Sequence, residues 1–105
     1  MHRIAVCYGQ PEDPESFEHH YREIHVPLAR AVPGVRRITY GRCEPMGGKP
    51  APHFFVAALY FDTAEAASVG LSSPEMHTTA DDVANFATGG VVMYRQSEDE
   101  ISLPS

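Results

Sequence analysis

The side chain in this sequence best suited to move a proton near neutral pH is His25, because an unperturbed imidazole titrates close to that range. It stands in the stretch Phe17-Glu-His-His-Tyr21-Arg-Glu-Ile-His25-Val-Pro27, at the edge of an apolar helical stripe, where an imidazole can face a cavity. Two roles suit it. It can exchange protons with a ligand, or it can bond a backbone carbonyl left free by Pro27, which removes the helical bond to the Glu23 carbonyl. Tyr8, Tyr40 and Tyr60 could bring hydroxyls to the same space, although each also reads as core with a polar tip. Phe17, Phe54 and Phe86, together with Tyr21 on the same stripe as Phe17, suit a pocket wall as well as a core.

The other polar candidates read as peripheral. Measured against the apolar stripe of its helix, Asp82 falls about 120° off and Asn85 nearly opposite, so both are expected in solvent or at a contact between subunits. His19 and His20 are adjacent and cannot share a helix face, and His19 points outward. His20 and His25 are five residues apart, a poor interval for chelation beside the three or four of helical metal pairs. His53 could reach a cavity rim, and His77 lies off the inner stripe. No Cys/His cluster has ligand spacing, and no Gly-x-Gly-x-x-Gly or phosphate loop is present, so no metal, haem or dinucleotide cofactor is expected.

The elements that must carry these residues follow from periodicity. Alternation marks strands over Arg3 to Tyr8, Val35 to Glu44 and Val91 to Gln96, and His53 to Phe61 is apolar on both faces. The first helix opens at an Asp13 cap with Pro14 in its first turn and runs to about Val32, carrying Phe17, Tyr21, Ile24, Leu28, Ala31 and Val32 on one stripe. Pro27 should kink it, and Pro33-Gly34 should stop it. Asp62 and Glu65 resemble a capping box before a helix over Thr63 to Leu71. Ser73-Pro74-Glu75 opens another, with Met76, Thr79, Ala80, Val83 and Ala87 inward and Phe86 at the edge. Pro45 to Pro52 is a turn-rich connection, and residues 98–105 form an acidic tail.

The order βαββαβ is an α+β arrangement with helices on one face of an antiparallel sheet, and right-handed crossovers give the ferredoxin-like strand order 4-1-3-2. Residues 1–105 make one domain. Because the third strand is apolar on both faces and helices cover only one, the pattern favours a homodimer packed sheet on sheet. The net charge of −6, with basic residues scattered, excludes nucleic acid and anionic membrane surfaces as partners. No apolar run has the length of a membrane span, and the two cysteines, Cys7 and Cys43, read as separate thiols; the cytoplasm is the expected location.

Cys7-Tyr8, Phe17-x3-Tyr21-x3-His25-x-Pro27-Leu28, Pro33-Gly34, Leu59-Tyr60-Phe61-Asp62, Ser73-Pro74-Glu75 and the run from Asp82 to Gly90 together resemble the EthD family over nearly the whole chain. The resemblance implies a dimeric α+β barrel, a fold shared with small cofactor-free monooxygenases and isomerases, and it favours a site role for His25. It leaves the reaction open. The expected function is cofactor-independent oxidation, isomerisation or cyclisation of a small apolar, aromatic or polyketide-like molecule, with His25 as proton donor or acceptor. The alternative is a non-catalytic binding or carrier protein of the same fold.

Overall fold

The computed structural model describes residues 1–104; the final residue of the acidic tail lies outside the described residues. Strands β1 (His2–Tyr8), β2 (Arg37–Arg42), β3 (Phe55–Phe61) and β4 (Val91–Ser97) form one antiparallel sheet in the order β2-β3-β1-β4, the order expected from the sequence. Ile4, Val6 and Tyr8 of β1 and Phe55, Ala57, Leu59 and Phe61 of β3 turn to the helices and form the core with Phe17, Tyr21, Met76 and Phe86. Residues 98–104 have no regular structure, apart from Glu98 donating its N–H to the Met1 carbonyl at 3.0 Å.

The first helical region is not one α-helix. It consists of α1 (Pro14–His20), a π-helical turn (Tyr21–His25) and α2 (Val26–Arg30). Asp13 caps α1 as expected, accepting from the Ser16 N–H at 3.2 Å. Through the π turn the Val26 N–H reaches back to the Tyr21 carbonyl, and Pro27 then lies at the start of α2, where its missing N–H is tolerated. The proline is therefore absorbed by a π turn, which inserts one residue into the helical count. The buried stripe shifts accordingly to Phe17, Tyr21, His25, Ala29 and Val32. Ile24, expected inside, is 48% exposed; Ala31 is exposed and Leu28 only half-buried.

The second pair of helices is α3 (Ala64–Leu71) and α4 (Pro74–Asp82), the latter running into a 3₁₀ turn (Val83–Asn85). Ser73 caps α4 through the Met76 N–H at 3.1 Å, as its Ser-Pro-Glu sequence implies. For α3 the cap is Thr63, whose hydroxyl accepts from the Ala66 N–H at 3.0 Å; Asp62, expected in that role, lies 3.6 Å from Arg36 instead. Helix α3 packs on β1 and β3, and α4 packs against α2.

The core between the layers is aromatic. Phe17 meets Tyr8, Phe55 and Phe86 edge to face at centroid distances of 5.2, 5.0 and 5.1 Å, arrangements worth about 0.5–1.5 kcal/mol each beyond the area they bury. Against this wall α3 comes so near that Gly70 has no room for a side chain. A Cβ there would stand 2.7 Å from the Phe61 ring and 3.0 Å from the Pro33 carbonyl oxygen. Gly70→Ala would ordinarily stabilise a helix by roughly 0.5–1 kcal/mol. Here the fully buried Phe61 cannot yield, so the substitution is expected to destabilise by about 1–3 kcal/mol, read as a lower urea midpoint at unchanged m-value.

Candidate active site

A cavity of about 160 Å³ lies between the sheet and the helices. Its walls come from Ile4, Val6, Ala57 and Leu59 of the sheet and from Met76 and Val83 on the α4 side, with His25, Tyr8 and Tyr21 supplying polar atoms. Val91 and Met93 border it on edge strand β4, where they remain 39% and 51% exposed, so the cavity reaches the surface along that strand.

His25 is buried, and the π turn decides its position. With the helical count advanced by one residue, its ring comes inward one turn after Tyr21, their ring centroids 5.4 Å apart. Its partner is a carboxylate, not a backbone carbonyl: Nδ1 lies 2.9 Å from Oδ2 of Asp82. Asp82, expected in solvent or at a contact between subunits, is buried within the chain. At the end of α4 its side chain turns toward the first helical region rather than toward the sheet, a second buried direction that a single apolar stripe does not represent.

Three groups donate to that carboxylate. His25 gives Nδ1–H to Oδ2; His20 gives Nε2–H at 2.8 Å and Asn85 gives Nδ2–H at 3.0 Å to Oδ1. His20 and His25, poorly spaced on a regular α-helix, thus converge on one residue because the intervening turn is π-helical. Burial alone would raise the Asp82 pKa, but the donors from Asn85, His20 and His25 outweigh it and hold the group below the usual carboxylate range. For His25 burial dominates and lowers its pKa, with the Asp82 hydrogen bond opposing. The resulting pair at neutral pH is an ionised Asp82 and a neutral His25.

An ionised carboxylate only accepts hydrogen bonds, so Asp82 fixes the proton of His25 on Nδ1. Nε2 then carries a lone pair. It has no partner among the described residues and is not sealed from solvent, as no buried side-chain nitrogen or oxygen there lacks a hydrogen bond. The hydroxyls of Tyr8 and Tyr21 likewise bond no described residue, and both side chains line the cavity. Burial raises the pKa of both phenols, so they stay protonated and can donate.

Of the residues singled out in the sequence, His25, Tyr8 and Tyr21 meet at the cavity. Phe17 and Phe86 do not line it; they stand behind it in the core, with Phe86 packed on the rings of His20 and His25 at 5.0 and 4.9 Å. Tyr40 is 46% exposed on edge strand β2 and stays outside the cavity. Tyr60 lies on the opposite face of the sheet, with Arg37 over its ring at 4.3 Å. His53 is half-buried without reaching the cavity, and His19 and His77 are exposed. Sequence reasoning missed Asp82 and His20. Pro27 was the available signal, since a proline inside an apolar helical pattern can be accommodated by a register-shifting π turn. Among the described residues, no group of three or more His, Cys, Asp or Glu is placed to hold a metal ion.

The buried pair makes stability depend on pH. Because the folded state binds a proton on His25 less readily than the unfolded chain, stability is full above the ordinary value of 6.5 and falls as pH drops below it. Asp82 adds a later loss, as pH falls through 3.8 toward its lower folded value. Urea midpoints measured from pH 8 to pH 5 are expected to decline, and His25→Gln is expected to flatten that decline.

The EthD domain profile matches residues 9–90. An uncharacterised 11.0 kDa protein encoded in the thcB–thcC intergenic region of Rhodococcus erythropolis is 40% identical over 101 residues, covering 96% of this chain and 98% of that protein. Among solved structures, an EthD family protein of Bacillus halodurans superposes with a TM-score of 0.86 at 25% identity, over 94% of this chain and 99% of that one. The fold is also that of two more distant proteins. One is a dimeric ferredoxin-like protein of Thermobifida fusca, with a TM-score of 0.67 at 13% identity over 92% and 90% of the two chains. The other is SnoaB, a cofactor-independent oxygenase of Streptomyces nogalater, with 0.67 at 15% over 99% and 96%. With its profile match spanning most of the sequence and a relative of near-equal length, this chain belongs to the EthD family.

Proposed function

We propose that the protein is a small-molecule enzyme in which His25 Nε2 acts as the general base. The single observation that carries this reading is the Asp82–His25 pair. It supplies a neutral imidazole of fixed tautomer whose free nitrogen belongs to a side chain lining an apolar cavity. A proton taken from a ligand by Nε2 creates an imidazolium that the Asp82 carboxylate stabilises, and the tyrosine hydroxyls can donate to the oxyanion left on the ligand. Returning that proton to another atom isomerises the ligand; attack of the carbanion on a carbonyl carbon of the same ligand cyclises it, the C=O π pair moving to oxygen and taking the proton back from the imidazolium. Oxidation, the chemistry named for SnoaB, would add dioxygen to the same carbanion. A purely carrying role has less to recommend it, because a buried carboxylate with three donors exceeds what holding an apolar molecule requires.

Exchange of the α-hydrogens of phenylacetone with deuterium, followed by proton NMR, tests the base without knowledge of the natural substrate. The parent protein is expected to accelerate exchange over buffer, and His25→Gln to lose that acceleration by about 10²–10⁴-fold. Glutamine can still donate to Asp82, so the variant should melt within a few degrees of the parent. Exchange by the variant at the parental rate would exclude His25 as the proton carrier.

The working unit we propose is a homodimer formed through the sheet face turned away from the helices. Ala5, Cys7, Ala58 and Tyr60 in the middle of that face are already buried within the single chain, and Val92 and Tyr94 at its edge, 57% and 47% exposed, are the apolar side chains left for a partner to cover. The dimeric relative of Thermobifida fusca supports the same reading. The cytoplasm is the compartment that suits two unpaired thiols at Cys7 and Cys43. Sedimentation at micromolar concentration should give one species of twice the chain mass, and Tyr94→Glu should shift it toward monomer; a parent that sediments as a monomer contradicts the dimer.

A further inference from the structure

We infer that the ligand of the cavity is a neutral molecule of single-ring size bearing one acidic O–H or α-C–H, such as a phenol or a small enolisable ketone, and that fused-ring polyketides are excluded. The inference rests on the proposed proton transfer by His25 and narrows its substrate.

Size is the first argument. An apolar cavity of about 150 Å³ is of the size that binds a single benzene ring. The cavity here, about 160 Å³, is of that order, and the surrounding aromatic core of Phe17, Phe55 and Phe86 leaves no slack behind it. Charge is the second. No Lys, Arg, Asp or Glu lines the cavity, so a carboxylate or phosphate would be desolvated without a counter-ion, a severe cost. Polar placement is the third. Of the four lining side chains with polar atoms, Thr79 already donates its hydroxyl to the Glu75 carbonyl at 2.8 Å. The donors and acceptors left for a ligand are the Tyr8 and Tyr21 hydroxyls and His25 Nε2, contributed by neighbouring rings. A ligand that fits is apolar over most of its surface and carries one oxygen-centred function at that end.

The chemistry balances without a further reactant. Nε2 removes the proton; from an O–H the electron pair stays on oxygen as phenolate, and from an α-C–H the pair becomes the C=C bond while the carbonyl π pair moves to oxygen as enolate, a tyrosine O–H donating to that oxygen. Return of the same proton to a different atom regenerates neutral His25 and leaves the tautomer.

Titration calorimetry with four probes tests the assignment: p-cresol (one ring, neutral), benzoate (one ring, anionic), 2-naphthol (two rings) and anthrone (three rings). The parent is expected to bind p-cresol saturably, benzoate and 2-naphthol at least about tenfold more weakly, and anthrone not at all. Met76→Ala, which removes wall from the cavity, is expected to raise the affinity for 2-naphthol relative to p-cresol by about tenfold or more. Binding of 2-naphthol, anthrone or benzoate as tight as that of p-cresol would overturn the inference, as would no saturable p-cresol binding or an unchanged preference in a folded Met76→Ala. His25→Gln separates the two readings. If size and charge selectivity persist while phenylacetone exchange never depended on His25, the base assignment fails alone; if exchange depends on His25 but larger or anionic probes bind equally well, the substrate class fails alone.

Discussion

A buried carboxylate is the constraint from which the rest of this structure follows. Asp82 stays ionised away from bulk water only because His20, His25 and Asn85 all donate to it, and hydrogen bonds to a charged group are worth about 1.5–3 kcal/mol each. Removing donors leaves a charge whose desolvation is uncompensated. The donors arrive from two helical regions distant in sequence, so the carboxylate also fastens the first region to α4. Fixing the tautomer of His25 is a consequence of that fastening.

The π turn makes the arrangement possible. On an uninterrupted α-helix, residues 20 and 25 would point about 140° apart and could not share an acceptor. The wider turn over Tyr21–His25 brings both to Asp82, while Pro27, which cannot continue the earlier hydrogen-bond register, opens the next segment. A π turn is a costly local geometry commonly found where function demands it. Here it replaces what would have been an apolar inward position, Ile24, with a titratable one, His25.

How much of this was legible in the sequence depends on whether a local period controls the outcome. Strand order was legible because the βαββαβ sequence of elements with right-handed crossovers leaves one order, and the core because Ile4, Val6 and Tyr8 alternate with Ala5 and Cys7 on β1. Caps were legible where one residue had the right geometry, as at Asp13 and Ser73, and were displaced by one residue where Asp62 and Thr63 competed. His25 and Tyr8 were legible from their types and places on the elements, but the partners of His25 were not, because each depends on a departure from the regular helix. His20 needs the inserted π residue, and Asp82 needs a neighbouring helix to define a second inward direction. Tyr40 and Tyr60 lie away from the cavity for the opposite reason: an edge strand and a sheet with two faces offer aromatic side chains places to go that alternation does not distinguish.

The central claim is that Asp82 holds His25 as a neutral imidazole protonated on Nδ1, with Nε2 free to act as base. Long-range proton–nitrogen correlation NMR on protein labelled with ¹⁵N-histidine reads this directly. At pH 7 the His25 ring is predicted to show a protonated Nδ1 and an unprotonated Nε2, and Asp82→Asn is predicted to disturb that pattern while leaving the exposed His77 unchanged. A His25 ring found as the Nε2–H tautomer, or as an imidazolium at pH 7, would contradict the account.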